Sequence, residues 1–126
     1  MSTILIVEDN EKNMKLVRDV LQHKGYATLE AATGREGVRL ALEKRPDLIL
    51  MDIQLPDIDG IQALAEIRAV AALDATPVVA VSASVMPDDQ HKIIASGFDA
   101  FITKPIDPKL FLDTVQRILA AGRTGG

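Results

Sequence analysis

Four polar clusters follow apolar runs along the chain, at positions where the strands of a sheet would end. They are Glu8 with Asp9, then Asp52, Ser82 and Lys104. If the apolar runs are parallel strands, all four clusters meet at the carboxyl edge of one sheet, where open α/β sheets bind their ligands. Three carboxylates, a hydroxyl and an ammonium at that edge describe a divalent-metal site built around one reactive aspartate, Asp52.

The elements that would position these side chains alternate along the whole chain. Short apolar runs lie near 3–8, 26–31, 47–52, 77–82 and 99–103, and amphipathic stretches lie near 10–24, 34–45, 59–72, 87–96 and 107–121. Strands separated by helix-length segments imply βαβ crossovers and therefore a parallel sheet. The third run is apolar almost throughout, as expected of a strand covered by helices on both faces. The second run is mixed and is predicted to be an edge strand.

Glycine, proline and acidic residues mark the expected helix ends. Gly25 and Gly97 stand where the first and fourth helices should stop, a position that favours the left-handed conformation. Pro87 is predicted at the first position of the fourth helix. Asp107 before Pro108 is predicted to be the N-cap of the last helix.

The bulk composition fits one globular domain and excludes several functional classes. The chain has 126 residues, 25% of them charged, a formal net charge of −4 and no cysteine. The acidic balance gives no electrostatic reason to bind nucleic acid, and thiol chemistry is excluded. No apolar stretch approaches the roughly 18 residues that a membrane span needs. We therefore expect a cytoplasmic protein with neither a nucleic-acid nor a membrane partner.

The residues at the strand ends resemble the signature of response-regulator receiver domains. The resemblance is carried by ILIVEDN at 4–10, PDLILMDIQLP at 46–56, Gly60, VSA at 81–83 and Lys104-Pro105. It covers residues 3 to about 121. The sequence around Glu8 and Asp52 is similar to that of single-domain cell-cycle regulators of the DivK type, although receivers attached to hybrid kinases share much of it.

This resemblance implies a flavodoxin-like (βα)5 three-layer sandwich with five parallel strands in the order 2-1-3-4-5. The receiver domain would occupy residues 1–121, followed by a flexible tail at 122–126 and no output domain. The implied activity is transfer of a phosphoryl group from a phosphohistidine to Asp52. The phosphohistidine would belong to a sensor histidine kinase or a histidine phosphotransfer protein, because His23 and His91 match no family site.

Phosphoryl transfer to a carboxylate requires charge neutralisation more than covalent assistance. Mg²⁺ supplies it, and this ion keeps several waters while binding only one or two carboxylates. Asp9 and Asp52 are therefore the predicted direct ligands, and Glu8 is predicted to act through a bound water. The resemblance adds the backbone carbonyl of Gln54 as a third protein ligand. Gln54 and Ser84 also occupy positions that the family uses to tune hydrolysis, and neither is acidic, which predicts slow dephosphorylation without a strong internal base.

Three further residues have both an ordinary and a functional interpretation. Lys104 is either a surface lysine or a point charge that contacts a phosphoryl oxygen, and the resemblance implies a cis bond between Lys104 and Pro105. Ser82 either caps a loop or is the hydroxyl that bonds the phosphoryl group. Phe101 is either a strand-face aromatic or the coupled aromatic switch, and both interpretations of it remain open.

Other acids are predicted to be structural. Asp57 and Asp59 are interpreted as a loop acid and a helix cap, and Asp88 and Asp89 as acids of a helix N-terminus.

Three hypotheses describe what the protein would do in the cell. One hypothesis is a phosphorylation-dependent switch that contacts a downstream protein through the fourth helix, fifth strand and fifth helix. A second is a phosphate sink or relay. A third, a phosphorylation-independent interaction module, is disfavoured because every site residue is intact. A flavodoxin-like cofactor binder is also disfavoured, because Glu8 and Asp9 would repel a phosphate.

Overall fold

A computed structural model of the chain describes residues 2–83 and 86–122. Each strand of its sheet is followed by a helix. The strands are β1 (Thr3–Val7), β2 (Ala27–Ala31), β3 (Leu48–Asp52), β4 (Val78–Ser82) and β5 (Ala100–Thr103). The helices are α1 (Glu11–His23), α2 (Gly34–Lys44), α3 (Gly60–Arg68), α4 (Pro87–Ala95) and α5 (Pro108–Ala121). None of the helices in the described ranges is long and apolar enough to cross a bilayer.

The sheet is parallel, with strand order β2-β1-β3-β4-β5. The predicted flavodoxin-like fold is therefore confirmed. Val7 of β1 pairs with Met51 of β3, and Asp52 pairs with Val81 of β4. Because the register is level at this edge, the residues that end or follow β1, β3, β4 and β5 lie side by side.

Two apolar layers cover the sheet, one on each face. Side chains alternate between the layers along β1, where Leu5 and Val7 join one cluster and Ile4 and Ile6 join the other. Every residue of β3 is buried, and each fully buried aliphatic side chain of such a strand contributes about 1.5–3 kcal/mol. Most of β2 is only partly buried, as predicted for an edge strand.

The predicted helix boundaries hold at most positions. Gly25 and Gly97 have φ values of 89° and 109°, Pro87 begins α4, and the Asp107 carboxylate accepts the amides of the first turn of α5.

The third helix is shorter than predicted, ending at Arg68 instead of continuing to residue 72. Val70 is extended, and Ala71–Leu73 forms a separate 3-10 turn. Across this break the Arg68 guanidinium donates to the Leu73 carbonyl at 2.9 Å, and Leu73 is fully buried.

Candidate functional site

The strand ends bring three of the predicted site residues into direct contact. The Lys104 Nζ lies 2.9 Å from Glu8 Oε1 and 3.0 Å from Asp52 Oδ2. Glu8 follows β1, Asp52 ends the central strand β3, and Lys104 follows β5, so the level register of the sheet produces this contact. The backbone amide of Lys104 donates to the carbonyl of Ser82 at 2.8 Å, which holds the ends of β4 and β5 together.

Asp9 completes an acidic cluster with Glu8 and Asp52. Each of the three offers a carboxylate oxygen, and these oxygens all lie within 4.8 Å of one another. Glu8 and Asp52 are only 5% and 4% exposed, whereas Asp9 faces solvent. Within residues 2–83 and 86–122 this is the one group of three such potential ligands. An all-oxygen donor set, partly open to water, suits a hard divalent cation such as Mg²⁺.

The electrostatics of the cluster also favour an added cation. Burial, followed by the hydrogen bond with Asp52, raises the pKa of Glu8 to about 7, even though Lys104 and the Asn10 amide act in the opposite direction. Burial alone would lower the pKa of Lys104, but its bonds to Glu8 and Asp52 outweigh burial and raise that pKa. A single ammonium therefore does not fully compensate the carboxylates, and a bound proton or a cation would stabilise the cluster.

The backbone after Asp52 turns sharply beside the carboxylate. The Gln54 amide donates to Asp52 Oδ1 at 3.0 Å, and the Gly60 amide donates to the Ile53 carbonyl at 2.9 Å. A Cβ at Gly60 would lie 2.5 Å from the Asp52 carbonyl oxygen, so only glycine permits this approach. The backbone of Gln54, predicted to contribute its carbonyl, is thus held next to Asp52.

The other predicted residues lie around this centre. Ser82 ends β4 and is 7% exposed, and Phe101 is partly buried against the core. The bond between Lys104 and Pro105 is cis, as the resemblance implies. Ser84 lies outside the described residues, as do residues 123–126 of the predicted tail.

Asp57 has a role that sequence reasoning did not find. Its two carboxylate oxygens accept the backbone amides of Gly34 and Arg35, at 2.8 and 2.9 Å. These bonds, led by that of Arg35, lower the pKa of Asp57 to about 2. Asp59 caps α3 by accepting the Gln62 amide at 2.8 Å, as predicted. No local spacing could reveal the Asp57 contact, because its partners lie 22 and 23 residues away in the sequence.

Comparison with known proteins identifies the class to which this fold and site belong. A family model described as the response regulator receiver domain matches residues 4–116, and the chain belongs to this family. Over 117 residues it is 44% identical to the polar-differentiation response regulator DivK of Brucella anthropi, with 93% of this chain and 95% of that protein covered. The predicted resemblance, including its DivK-like character, is confirmed.

Solved structures give the same result. The chemotaxis response regulator CheY4 of Vibrio cholerae superposes with a TM-score of 0.89 and 29% identity, covering 94% of this chain and 98% of that one. The receiver domain of a sensor histidine kinase from Pseudomonas aeruginosa superposes with a TM-score of 0.87 and 33% identity over the same shares. That structure has a magnesium ion coordinated in its active-site cleft.

Proposed function

We propose that this chain is a cytoplasmic, DivK-like response regulator receiver that accepts a phosphoryl group on Asp52. The observation that carries the proposal is the environment of the Asp52 carboxylate. It lies buried at the end of the central strand, with Lys104 Nζ on one oxygen and the Gln54 amide on the other. Two further carboxylates, Glu8 and Asp9, lie within 4.8 Å. Such a carboxylate is oriented for attack. The ammonium and the backbone amide beside it can stabilise the negative charge that develops during the reaction.

The donor is a phosphohistidine of a sensor histidine kinase or a histidine phosphotransfer protein. An Asp52 oxygen attacks the phosphorus in line, so that a P–O bond forms as the P–N bond breaks. The histidine nitrogen leaves with the electron pair and is reprotonated. The Lys104 ammonium compensates the charge that develops on the phosphoryl oxygens.

Asp9, Asp52 and the backbone carbonyl of Gln54 would hold Mg²⁺ directly, and Glu8 would act on it through a bound water. When bound, this ion neutralises negative charge on the transferring group. The product is an acyl phosphate, which water hydrolyses. Gln54 is neutral and supplies no base for that water, so we expect slow dephosphorylation. The chain is in this sense a phosphoacceptor that catalyses its own transfer and not an enzyme acting on a separate substrate.

A switching output is favoured over a phosphate sink by the surface that α4, β5 and α5 form. Large apolar side chains on these helices and at the start of α4 remain accessible: Leu110 is 65% exposed, Met86 62% and Ile94 43%. Of the four large apolar side chains that are exposed in the described residues, three belong to α4, its N-cap and α5. This share favours these two helices as a protein contact. Ser82 at the end of β4 and Phe101 in β5 would transmit phosphorylation to these helices by shifting the population of two conformers.

Intact mass spectrometry tests the phosphoacceptor assignment. The native chain, incubated with acetyl phosphate and Mg²⁺, should gain one hydroxylamine-labile phosphoryl group, and a chelator should prevent the gain. Asp52→Asn should gain none. Asp59→Asn, a neighbouring acid outside the cluster, should behave as the native chain does. A native chain that gains no phosphoryl mass would overturn the assignment.

Backbone NMR separates a switch from a sink. Phosphorylation of a switch should shift the amide signals of Ser82 and Phe101 and those of α4 and α5. If the shifts remain confined to the neighbours of Asp52, the chain is a sink or relay.

A further inference from the structure

The loop between β3 and α3 (residues 53–59) is attached to the start of α2 at two adjacent points. One is polar: the Asp57 carboxylate accepts the amides of Gly34 and Arg35. The other is apolar: Ile58, 8% exposed, packs so closely on Gly34 that a Cβ there would lie 2.5 Å from Ile58 Cγ1. The loop and the first residue of α2 are therefore fitted to one another.

The same loop carries the backbone that orients the candidate phosphoacceptor. Its first residues lie beside Asp52, whose Oδ1 accepts the Gln54 amide. Its last residue caps α3, which fixes the far end. Between those ends, the Asp57 carboxylate makes hydrogen bonds that reach out of the loop to α2. The loop that carries Gln54 is therefore bonded to a different helix as well as to Asp52.

Capping of α2 alone does not account for this arrangement. The helix already has its own N-cap, Thr33, whose hydroxyl accepts the Glu36 amide at 3.1 Å. Asp57 accepts two other amides of the first turn, which have no partner within the helix, and its negative charge suits the positive end of the helix dipole. Asp57 is itself exposed, so its part in the fold does not come from core packing.

We propose that Asp57 is a positioning residue for the phosphoacceptor site. By binding the start of α2, its carboxylate holds the β3–α3 loop in the conformation that presents the Gln54 backbone to Asp52 and to a metal ion. The inference rests on the proposed function of the site. It assigns control of the loop to one carboxylate that touches neither the metal nor the phosphoryl group.

Two substitutions at Asp57 and one control test this role. Asp57→Ala removes both acceptor oxygens. Asp57→Asn keeps one acceptor oxygen for one of the two α2 amides. Its side-chain NH₂ group would face the other amide, which is also a donor, so the substitution should have an intermediate effect. Thr33→Ala removes the cap of the same helix without touching the loop, and it controls for a loss of stability at the start of α2.

Mg²⁺ affinity of the folded chain, measured by NMR titration of backbone amides, is the main readout. The free energy of unfolding and amide exchange at Gln54 are measured beside it. Asp57→Ala should weaken Mg²⁺ binding about tenfold, the lower end of what the loss of an outer-shell partner costs a metal site. It should also speed amide exchange at Gln54 without Mg²⁺. Thr33→Ala should lower stability while leaving Mg²⁺ affinity within about twofold of native, because its effect is confined to the cap.

Each outcome decides the inference. If the native chain binds Mg²⁺ and Asp57→Ala binds it equally well with slow exchange at Gln54, Asp57 is only a second cap and the inference fails alone. If Thr33→Ala weakens Mg²⁺ binding as much as Asp57→Ala does, the loop contact has no special role and the inference also fails. If the native chain binds no Mg²⁺, the proposed function fails and the inference fails with it.

Discussion

Removing one charge from the acidic cluster should stabilise the metal-free protein. Asp9→Asn keeps the shape of the side chain and breaks none of the hydrogen bonds found at the site, but it eliminates repulsion with Glu8 and Asp52. Two unit charges 4.8 Å apart repel by about 1 kcal/mol in water and by about 3.5 kcal/mol at an effective dielectric constant of 20. Asp9 faces solvent, so the lower value applies to each pair. We expect a gain of about 1–2 kcal/mol in the free energy of unfolding.

The protonation of Glu8 gives this prediction a pH dependence. Since the pKa of Glu8 is raised to about 7, both repulsions act at pH 8, whereas at pH 6 mainly the repulsion between Asp9 and Asp52 remains. The stabilisation by Asp9→Asn should therefore be larger at pH 8 than at pH 6. With saturating Mg²⁺ the native chain should instead be more stable than Asp9→Asn. A ligand at 100 times its Kd adds about 2.7 kcal/mol to the free energy of unfolding of the chain that binds it.

Urea unfolding followed by circular dichroism, with a chelator and then with Mg²⁺, measures all of these differences. Asp113→Asn is the matched control, because it removes an exposed acid from α5 and changes the net charge equally. An Asp9→Asn chain that is no more stable than the native chain at pH 8 with chelator would refute repulsion within the cluster. An equal gain from Asp113→Asn would refute it as well.

Three other perturbations have expected outcomes. Gly60→Ala should destabilise the chain by about 3 kcal/mol and abolish phosphoryl uptake, because the new methyl would displace the Asp52 carbonyl; a native-like urea midpoint would contradict this. Arg68→Ala should cost about 3 kcal/mol, because the Asp99 carboxylate, whose side chain is 1% exposed, loses its 3.2 Å ion pair and keeps the Val78 amide; it should not change Mg²⁺ affinity, which an NMR titration checks. Because the folded chain holds the proton of Glu8 up to a pKa of about 7 instead of the ordinary 4.5, the free energy of unfolding without Mg²⁺ should fall as pH rises from about 5 to 8, by up to about 3 kcal/mol. The variant Glu8→Gln should flatten that part of the curve, and an unchanged slope would refute the assignment.

The contact among Glu8, Asp52 and Lys104 could be predicted because it follows from the pattern of apolar runs, which is visible in short stretches of the sequence. Each residue follows or ends an apolar run, and parallel strands place their carboxyl ends at one edge. The alternation of runs and amphipathic stretches then predicts the layers that cover the sheet. The roles of Ser82 and Phe101 in switching stay predictions, because they depend on a second conformation.

Contacts between separate elements could not be predicted in the same way. The Asp57 carboxylate reaches the start of α2, and Arg68 reaches both Leu73 and Asp99, through the relative placement of packed helices and loops. Residue type and spacing do not encode that placement. The early end of α3 could not be predicted either, since the helical pattern of the sequence continues past Arg68, whereas the chain becomes extended at Val70.

The ion pair between Lys104 and Asp52 joins positions 52 residues apart, and this sets when the cluster can be completed during synthesis. A ribosome that has released only the first three strands has delivered every carboxylate of the cluster but not the ammonium that compensates them. If β1 and β3 paired at that stage, their carboxylates would repel one another until β5 had emerged and docked. Contacts of such long sequence separation are also slow to form. The acidic cluster therefore disfavours early closure of the sheet edge and makes the last strand the one that completes it.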